Sequence, residues 1–432
     1  MTTKQKRIAL AVCLIGVAYF VIFIFPNALG AKDWHMLTTT STDEPITYPY
    51  VLRMLQNPSS LKDLFVRWVV YGDYHYGWLF YLWSALVLLP VKLIYGMSFV
   101  NHLQLNLLLL RQFVSVLPMI LAIVGLVYLQ TRFKSWFKTL FLLLIMFTIR
   151  SVIRMNMQFW HPDALSVLAV VITLFFLERD RLKFGRNFYL AAAACGVAIG
   201  IKLAGVFFAG TIAAYVVAGI IKKSLDFKRA VGVSALFLLT MVAAVVITNP
   251  FLYNQGARED LVKIQTYKQL ELSTAVGYSQ DFAINYTKSP IYWTWTLQTY
   301  FASWVTLGLF FISLLVGCFW GPNKLLNRLI LSYIIPQTLY LFYFVAPKPD
   351  HYWIPVMLPL FSAVLTLPEA FKDFLAQKPV FIAQRQKLAV NVVSLVVYVA
   401  LAGFLVTNCT RFYSGFYARY TTALAVEQNL SK

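Results

Sequence analysis

The chain has 432 residues, of which 60% are hydrophobic and 12% are charged, and its formal net charge is +20. So much apolar surface cannot be buried in one soluble core, and this excludes a soluble globular protein. Most of the excess positive charge lies in short connections between apolar segments, which favours membrane topology over binding to nucleic acid.

The N-terminus places three basic residues before an apolar run at 8–25. This run is longer than the core of about 7–15 residues that is typical of a secretory signal peptide. The small residues at 28–30 also make a poor cleavage sequence. We therefore expect a membrane anchor here rather than a cleaved leader.

Apolar segments of about twenty residues recur along the chain, and this length lets a helix cross roughly 30 Å of hydrocarbon. We predict an all-α polytopic membrane protein with about 11–12 transmembrane helices. The predicted segments are 8–28, 105–130, 139–157, 164–178, 187–202, 203–221, 230–248, 298–320, 327–345, 352–368 and 388–407.

Basic connections predict the orientation, because Lys and Arg are retained on the cytoplasmic side. Residues 1–407 are then one transmembrane domain with outer loops 30–77 and 249–297, residues 408–432 are a short outer tail, and no separate soluble domain is left. The basic connections contain Arg132/Lys134/Lys138, Arg179/Arg181/Lys183/Arg186, Lys222/Lys223/Lys228/Arg229, Lys324/Arg328 and Lys372/Lys378/Arg385/Lys387.

The segment 78–95 is apolar enough to span, yet counting it as a crossing would place either Asp43 or Asp163 inside. Its Trp and Tyr residues are typical of a membrane interface, so we interpret it as a helix that lies in or re-enters the outer interface. A true crossing is the alternative. Residues 45–55 and 61–70 carry apolar residues at helical spacing and predict amphipathic surface helices in the first outer loop.

Two adjacent carboxylates, Asp43 and Glu44, follow the first apolar helix, and Asp163 begins a later helix on the same predicted face. Solvent-exposed acids are common, and an Asp at a helix start also serves as an N-cap. Lys202 interrupts a long uncharged stretch, and a charge at membrane depth is a functional candidate because its insertion costs about 2.5–3.5 kcal/mol. Snorkelling to the interface is the structural alternative for Lys202.

Further polar candidates lie beside apolar segments. His351 and Tyr352 begin a helix after an outer turn and are candidate ligands of a donor phosphate. The arginines at 111, 150 and 154 are expected to pair with the acids. The four scattered cysteines give no disulfide or metal spacing, and neither a Ser/His/Asp order nor a glycine-rich phosphate loop is present.

One reaction fits these residues: transfer of a sugar from a polyprenyl phosphate. The phosphate leaving group needs a cation such as Lys202, and the acceptor hydroxyl needs a general base, for which we choose Asp43. Attack opposite the phosphate would invert the anomeric centre. A divalent cation held by Asp43 and Asp163 is left open.

The motifs resemble those of the GT-C superfamily of membrane glycosyltransferases, in particular the family-39-like group with the protein O-mannosyltransferases and the lipid A aminoarabinose transferase. The resemblance lies in Asp43-Glu44, in Asp163 at a helix start, in Gly200-Ile201-Lys202 and in the helix start at 352–355. It implies a many-helix fold with surface helices in the first outer loop. It also implies Asp43 as the catalytic acid of that loop with Glu44 beside it, Asp163 as a second site acid and Lys202 on the donor phosphate.

The resemblance further implies a polyprenyl-phosphate-sugar donor, a glycan, lipid or protein acceptor, and a bacterial inner membrane with the site facing the periplasm or exterior. A transporter or flippase of a lipid-linked sugar is the main alternative, although it predicts polar residues spread through the membrane depth. A glycan polymerase or ligase would share the same face, and a receptor or scaffold would leave the acids at helix ends unexplained.

Overall fold

The computed structural model describes residues 1–274, 301, 303–345, 350–377 and 383–430, and within these ranges it is helical without strands. The predicted outer loop beyond residue 274 lies outside the described residues. The α-helices are α1 (Thr3–Ile22), α2 (Ile24–Asn27), α3 (Trp34–Thr40), α4 (Glu44–Leu55), α5 (Leu61–Val69), α6 (Trp78–Tyr95), α7 (Leu103–Leu110), α8 (Leu117–Thr131), α9 (Trp136–Phe147), α10 (Arg150–Asn156), α11 (Asp163–Asp180), α12 (Arg186–Ile201), α13 (Phe208–Ile221), α14 (Phe227–Ile247), α15 (Gln255–Thr274), α16 (Trp304–Gly317), α17 (Lys324–Tyr343), α18 (Asp350–Ser362), α19 (Thr366–Ala376) and α20 (Ala383–Leu430).

Several of these helices start where the sequence supplies a capping side chain. Thr2, Ser135, Asp226 and Ser303 each accept a hydrogen bond from the backbone N–H of the third residue of the following helix. The bond satisfies a donor that has no partner inside the helix. The starts of α1, α9, α14 and α16 are therefore set locally.

The helices pack around two separate apolar cores. The larger one, the bundle core, joins α1, α8, α9, α11 and α12 to the C-terminal helices and includes Leu126, Val170 and Phe361. The smaller one, the loop core, contains residues of α4, α6 and α7. Trp160, just before α11, also belongs to the loop core. The first predicted outer loop is thus folded and packed rather than extended.

Two hydrogen bonds identify the two ends of the bundle. At one end Gln5 Nε2 donates to the carbonyl of Arg132 (2.9 Å), and at the other Asn27 Nδ2 donates to the carbonyl of Asn156 (2.9 Å). We call the end with Asn27, Asn156 and the start of α11 the acid end, and the end with Gln5 and Arg132 the basic end. Helices α1 and α8 connect these ends in opposite directions.

Helix α6 together with the turn after it, Trp78–Asn101, is long and apolar enough to cross a membrane. Its buried residues, however, belong to the loop core and not to the bundle core. The backbone N–H of Trp78 donates to Asn249 at the acid end, and Trp83 Nε1 donates to the carbonyl of Phe113. Whether α6 lies in or re-enters the outer interface or crosses the membrane stays a prediction.

The chain is a multi-pass membrane protein. Among the described residues seven helices are long and apolar enough to cross, or up to nine when each of two bent pairs is one span. One bent pair is α9 with α10, at 63°, and the other is His351–Ser362 with α19, at 43°. Fewer helices pass this test than the predicted number, because α12 and α16 are short and α11 carries charges at both ends.

The C-terminal helix differs from the prediction. Residues 408–430, predicted as a short tail, continue the predicted span without a break as the second half of α20, which has 48 residues. Near its end Glu427 accepts a hydrogen bond from the backbone N–H of Gly30 (3.1 Å). The tail therefore returns to the acid end and contacts the chain just after α2.

Candidate active site at the acid end of the bundle

Asp163 is the first residue of α11, where the helix dipole favours a negative charge, and only 2% of it is exposed. The ammonium of Lys202 donates a hydrogen bond to Oδ1 of Asp163 and forms an ion pair with it. Lys202 directly follows α12, in extended backbone, and keeps 28% of its side chain exposed. The pair compensates the buried carboxylate and leaves part of the Lys202 side chain exposed.

His161 lies on the other side of Asp163. Its Nδ1 lies 2.8 Å from Oδ2 of Asp163, in direct polar contact with the carboxylate. The ring Nε2 lies 2.8 Å from the Tyr76 hydroxyl, and the His161 backbone N–H donates to Ser115 Oγ. Asp163 is therefore held between Lys202 on one side and His161 on the other.

The start of α18 reaches the same group of side chains. The His351 ring is 5.3 Å from the His161 ring, centroid to centroid, and 6.0 Å from that of Phe159. The Lys202 ammonium lies 5.0 Å from the centre of the Tyr352 ring, within the range of a cation–π contact. Four of the predicted site residues, Asp163, Lys202, His351 and Tyr352, are therefore brought together.

The turn before α6 is fixed against the end of α12. The backbone N–H of Gly77 donates to the carbonyl of Ile201 (3.1 Å). A Cβ on Gly77 would lie 1.4 Å from the carbonyl oxygen of Gly200, so no larger residue fits in this close approach. Because Tyr76 and Lys202 are the neighbours of these contact residues, the contact holds both side chains at the site.

Glu44 and Arg111 form a second ion pair at this end. Arg Nε and Nη2 donate to the two carboxylate oxygens (2.9 and 2.6 Å), and both side chains are almost fully buried, at 1% and 0% exposed. Arg111 also donates to the carbonyls of Asn27 and Leu29, and Glu44 accepts a further bond from the backbone N–H of Trp160. These contacts tie the first loop to the segment that leads into Asp163.

Asp43 precedes Glu44 and is half-buried. Its carbonyl accepts bonds from the backbone and the hydroxyl of Thr47, whereas its carboxylate has no hydrogen-bond or ion-pair partner among the described residues. The predicted catalytic pair is thus divided: the carboxylate of Glu44 is fully occupied and that of Asp43 is available. The bond from Trp160 to Glu44 places this turn beside the chain that carries Asp163.

A further polar cluster lies in the turn before α6. Asp73 is 4% exposed, His75 Nδ1 lies 2.6 Å from its Oδ1, and the Tyr81 hydroxyl donates to its Oδ2. Burial opposes ionisation of Asp73, but the bonds from His75 and Tyr81 outweigh it and hold the pKa of Asp73 below its ordinary value. This cluster stabilises the turn that presents Tyr76.

Sequence reasoning missed the roles of His161, Tyr76 and Ser115. The one available signal was the position of His161 two residues before Asp163. In the part of the chain that the structure describes, no three His, Cys, Asp or Glu side chains cluster as metal ligands. A divalent cation at Asp43 and Asp163 stays a prediction.

No family model matches the chain, and no curated protein matches it. Among solved structures, ArnT from Cupriavidus metallidurans bound to undecaprenyl phosphate is similar, with a TM-score of 0.51, 13% sequence identity, and coverage of 98% of this chain and 77% of that chain. This chain has a GT-C-like fold. The fold resemblance predicted from the motifs is thereby confirmed.

The archaeal oligosaccharyltransferase AglB from Archaeoglobus fulgidus, in complex with an inhibitory peptide and a dolichol-phosphate, is also similar. Its TM-score is 0.49 and its identity 12%, over 94% of this chain and 56% of that chain. The similarity to ArnT, at 13% identity, shows the fold alone, and the chemistry of this chain has to be argued from its own site.

Proposed function

We propose that this chain is a glycosyltransferase that moves a sugar from a polyprenyl-phosphate donor to an acceptor hydroxyl. The observation that carries the proposal is the pairing of a buried acid, Asp163, with a partly exposed cation, Lys202. The turn that carries Asp43 is tied to the segment leading into Asp163 by the bond from the Trp160 backbone N–H to Glu44. This arrangement lies in a GT-C-like fold, and the similar ArnT structure holds undecaprenyl phosphate.

The donor phosphate binds at Lys202. An ammonium has three N–H donors, and Asp163 takes one of them, so the exposed part of Lys202 has donors left for phosphate oxygens. The rings of Tyr352 and His351 border this position. As the sugar departs, negative charge grows on the phosphate, and a fixed cation there stabilises the transition state more than the ground state.

Asp43 takes the proton of the acceptor. The acceptor oxygen attacks the anomeric carbon, the bond from that carbon to the phosphate oxygen breaks, and the proton passes to the Asp43 carboxylate while polyprenyl phosphate leaves with the electron pair. Attack from the face opposite the phosphate inverts the anomeric centre. An unpaired, half-buried carboxylate suits this role, because no cation among the described residues neutralises it.

Glu44 and Asp163 hold the reacting groups in place. Glu44, clamped by Arg111 and Trp160, orients the turn that carries Asp43. Asp163, held by His161, orients Lys202. The acceptor is a glycan, a lipid or a protein at the membrane surface. We place the site on the periplasmic or outer face of a bacterial inner membrane, because basic connections such as 132–138 lie at the opposite end.

Turnover of a defined donor tests this function. Purified protein with a polyprenyl-phosphate sugar and a suitable acceptor should release polyprenyl phosphate, and Asp43→Asn should lower the rate about 10²- to 10⁴-fold. Asp63→Asn is the matched control in the same loop, since the partners of the Asp63 carboxylate among the described residues are its neighbours Arg67 and Ser59, and its loss should leave the rate unchanged. Near-normal turnover of Asp43→Asn in a folded protein would reject Asp43 as the base.

A further inference from the structure

A second polar cavity lies at the basic end of the bundle. It has a volume of about 280 Å³ and opens between the end of α8, the start of α9, the start of α17 and the turn from α18 to α19. Arg132, Lys134 and Lys138 line it, against the single carboxylate of Glu369. The cavity is therefore cationic and suits an anionic ligand.

The cavity is separate from the candidate active site. Arg132 pairs with Glu178 near the end of α11, whereas Asp163 begins the same helix. At a rise of 1.5 Å per residue, these two positions of α11 are about 22 Å apart. A ligand in this cavity consequently lies at the opposite membrane surface from the donor phosphate.

The inner part of the cavity is lined by a network of hydrogen-bonded polar side chains. Asn323 Nδ2 donates to the carbonyl and the side-chain oxygen of Gln130 (2.7 and 3.1 Å). Gln130 Nε2 in turn donates to Oδ1 of Asn327, which is fully buried, and lies 3.4 Å from Ser362 Oγ. These bonds connect α8, α17 and α18 and keep the wall of the cavity in one arrangement.

The three cationic side chains of the cavity differ in whether they have an ion-pair partner. Lys138 forms an ion pair with Glu369, and Arg132 lies 2.5 Å from Glu178. Lys134 has no ion-pair partner among the described residues, and its side chain is exposed. A ligand would thus meet an uncompensated ammonium at the mouth of the cavity.

Three helix starts add positive potential at the same place. Helices α9, α17 and α19 begin at the lining residues Ser135, Asn323 and Thr366 or directly beside them. The N-terminal end of each helix carries a partial positive charge from its aligned peptide dipoles. They reinforce the cationic lining without themselves defining the ligand.

Aromatic residues beside the cavity place it at a membrane surface. Trp136 and Phe137 follow Ser135 directly and are 39% and 57% exposed. Trp is enriched where hydrocarbon meets the headgroup layer, and basic pockets between membrane helices at this level bind lipid head groups. A phosphate carried by a lipid can reach this position laterally.

We propose that this cavity binds the phosphate headgroup of an anionic phospholipid from the leaflet at the basic end. The ligand chemistry is a phosphate diester whose charge is met by Lys134 and whose acyl chains lie along the aromatic residues of α9. The proposal is independent of the sugar-transfer activity, because it concerns a different cavity and a different leaflet.

Lipid titration of the purified full-length protein tests it. Native mass spectrometry should show that phosphatidylglycerol binds more tightly than phosphatidylcholine. Lys134→Gln should weaken phosphatidylglycerol binding about fivefold, and Lys134→Glu more than tenfold. Lys183→Gln is the matched control, since Lys183 is an exposed lysine in the neighbouring basic turn and does not line the cavity.

Equal binding of the two lipids, or unchanged phosphatidylglycerol binding by Lys134→Glu, would overturn the proposal. An equal loss in Lys183→Gln would also overturn it, because it would show only a diffuse effect of surface charge. Inorganic phosphate tests the source of the phosphate: if it raises the melting temperature as much as phosphatidylglycerol does at the same concentration, the lipid is not the ligand.

Discussion

Two buried ion pairs at the same end of the bundle differ in one respect. The pair of Glu44 and Arg111 is closed, because both side chains are almost fully buried and all carboxylate oxygens and most guanidinium donors have partners inside the protein. The pair of Asp163 and Lys202 is open, since the acid is buried but the lysine side chain is partly exposed.

This difference in exposure distinguishes an ion pair that stabilises the fold from one that can bind a ligand. A closed pair is buried away from any ligand, so its effect is on the position of the chain and on stability. An open pair retains donors that a phosphate can use. Charge alone, which both pairs share, does not distinguish a ligand site from a structural lock; the exposure of Lys202 does.

The largest effect on stability is expected at the closed pair. Arg111→Met leaves Glu44 buried without its partner and should destabilise the fold by about 3–5 kcal/mol. Thermal unfolding in detergent would measure this as a lower melting temperature. The double variant Glu44→Gln/Arg111→Met is the matched control and should recover part of the loss, whereas an unchanged melting temperature in Arg111→Met would contradict the closed-pair description.

Substitution of Lys202 in the open pair should lower catalysis more than it lowers stability. Lys202→Met removes a cation from the leaving phosphate and should lower kcat/KM for the donor by about 10²- to 10³-fold. Its melting temperature should fall less than that of Arg111→Met, because Lys202 is partly exposed. Lys202→Arg, which keeps the charge, should retain more activity than Lys202→Met. Equal activity of the two variants would show that the positive charge is not the cause of the lost activity.

A smaller effect is expected at Tyr76, whose hydroxyl contacts the ring of His161 next to the open pair. Tyr76→Phe removes one hydrogen-bond partner of the His161 ring and should cost about 0.5–1.5 kcal/mol, or up to roughly tenfold in turnover. Tyr267→Phe, on the exposed side of α15, is a control that should change nothing. A loss of stability equal to the loss of activity in Tyr76→Phe would assign Tyr76 to the fold alone.

Much of this site was predictable because its charged residues are unusual next to long apolar segments. A lysine after a long apolar stretch and an acid at the start of an apolar helix are costly unless paired, and this identified Lys202 and Asp163. The pairing of Arg111 with an acid was also expected, but only tertiary structure shows that the acid is Glu44 and not Asp43. Two adjacent carboxylates look alike in sequence, and their roles differ through burial.

Other features depend on contacts that no local pattern encodes. Tyr76 and Asp73 lie in a polar turn like many others, and their role comes from the docking of Gly77 on the end of α12. The continuation of α20 beyond the predicted span also depends on a distant contact. The end of this helix is held by a hydrogen bond between Glu427 and Gly30, which lie near opposite ends of the sequence. Hydropathy predicts where helices cross, but not how far they continue.

Binding of polyprenyl phosphate, the product of the proposed reaction, tests most directly whether the open pair is the phosphate site. The affinity of the wild type should exceed that of Lys202→Met by tenfold or more, since a charge-assisted hydrogen bond contributes about 1.5–3 kcal/mol. Arg111→Lys, which changes the closed pair but keeps its charge, should bind like the wild type as long as it stays folded. Equal affinity of Lys202→Met and wild type would contradict the account.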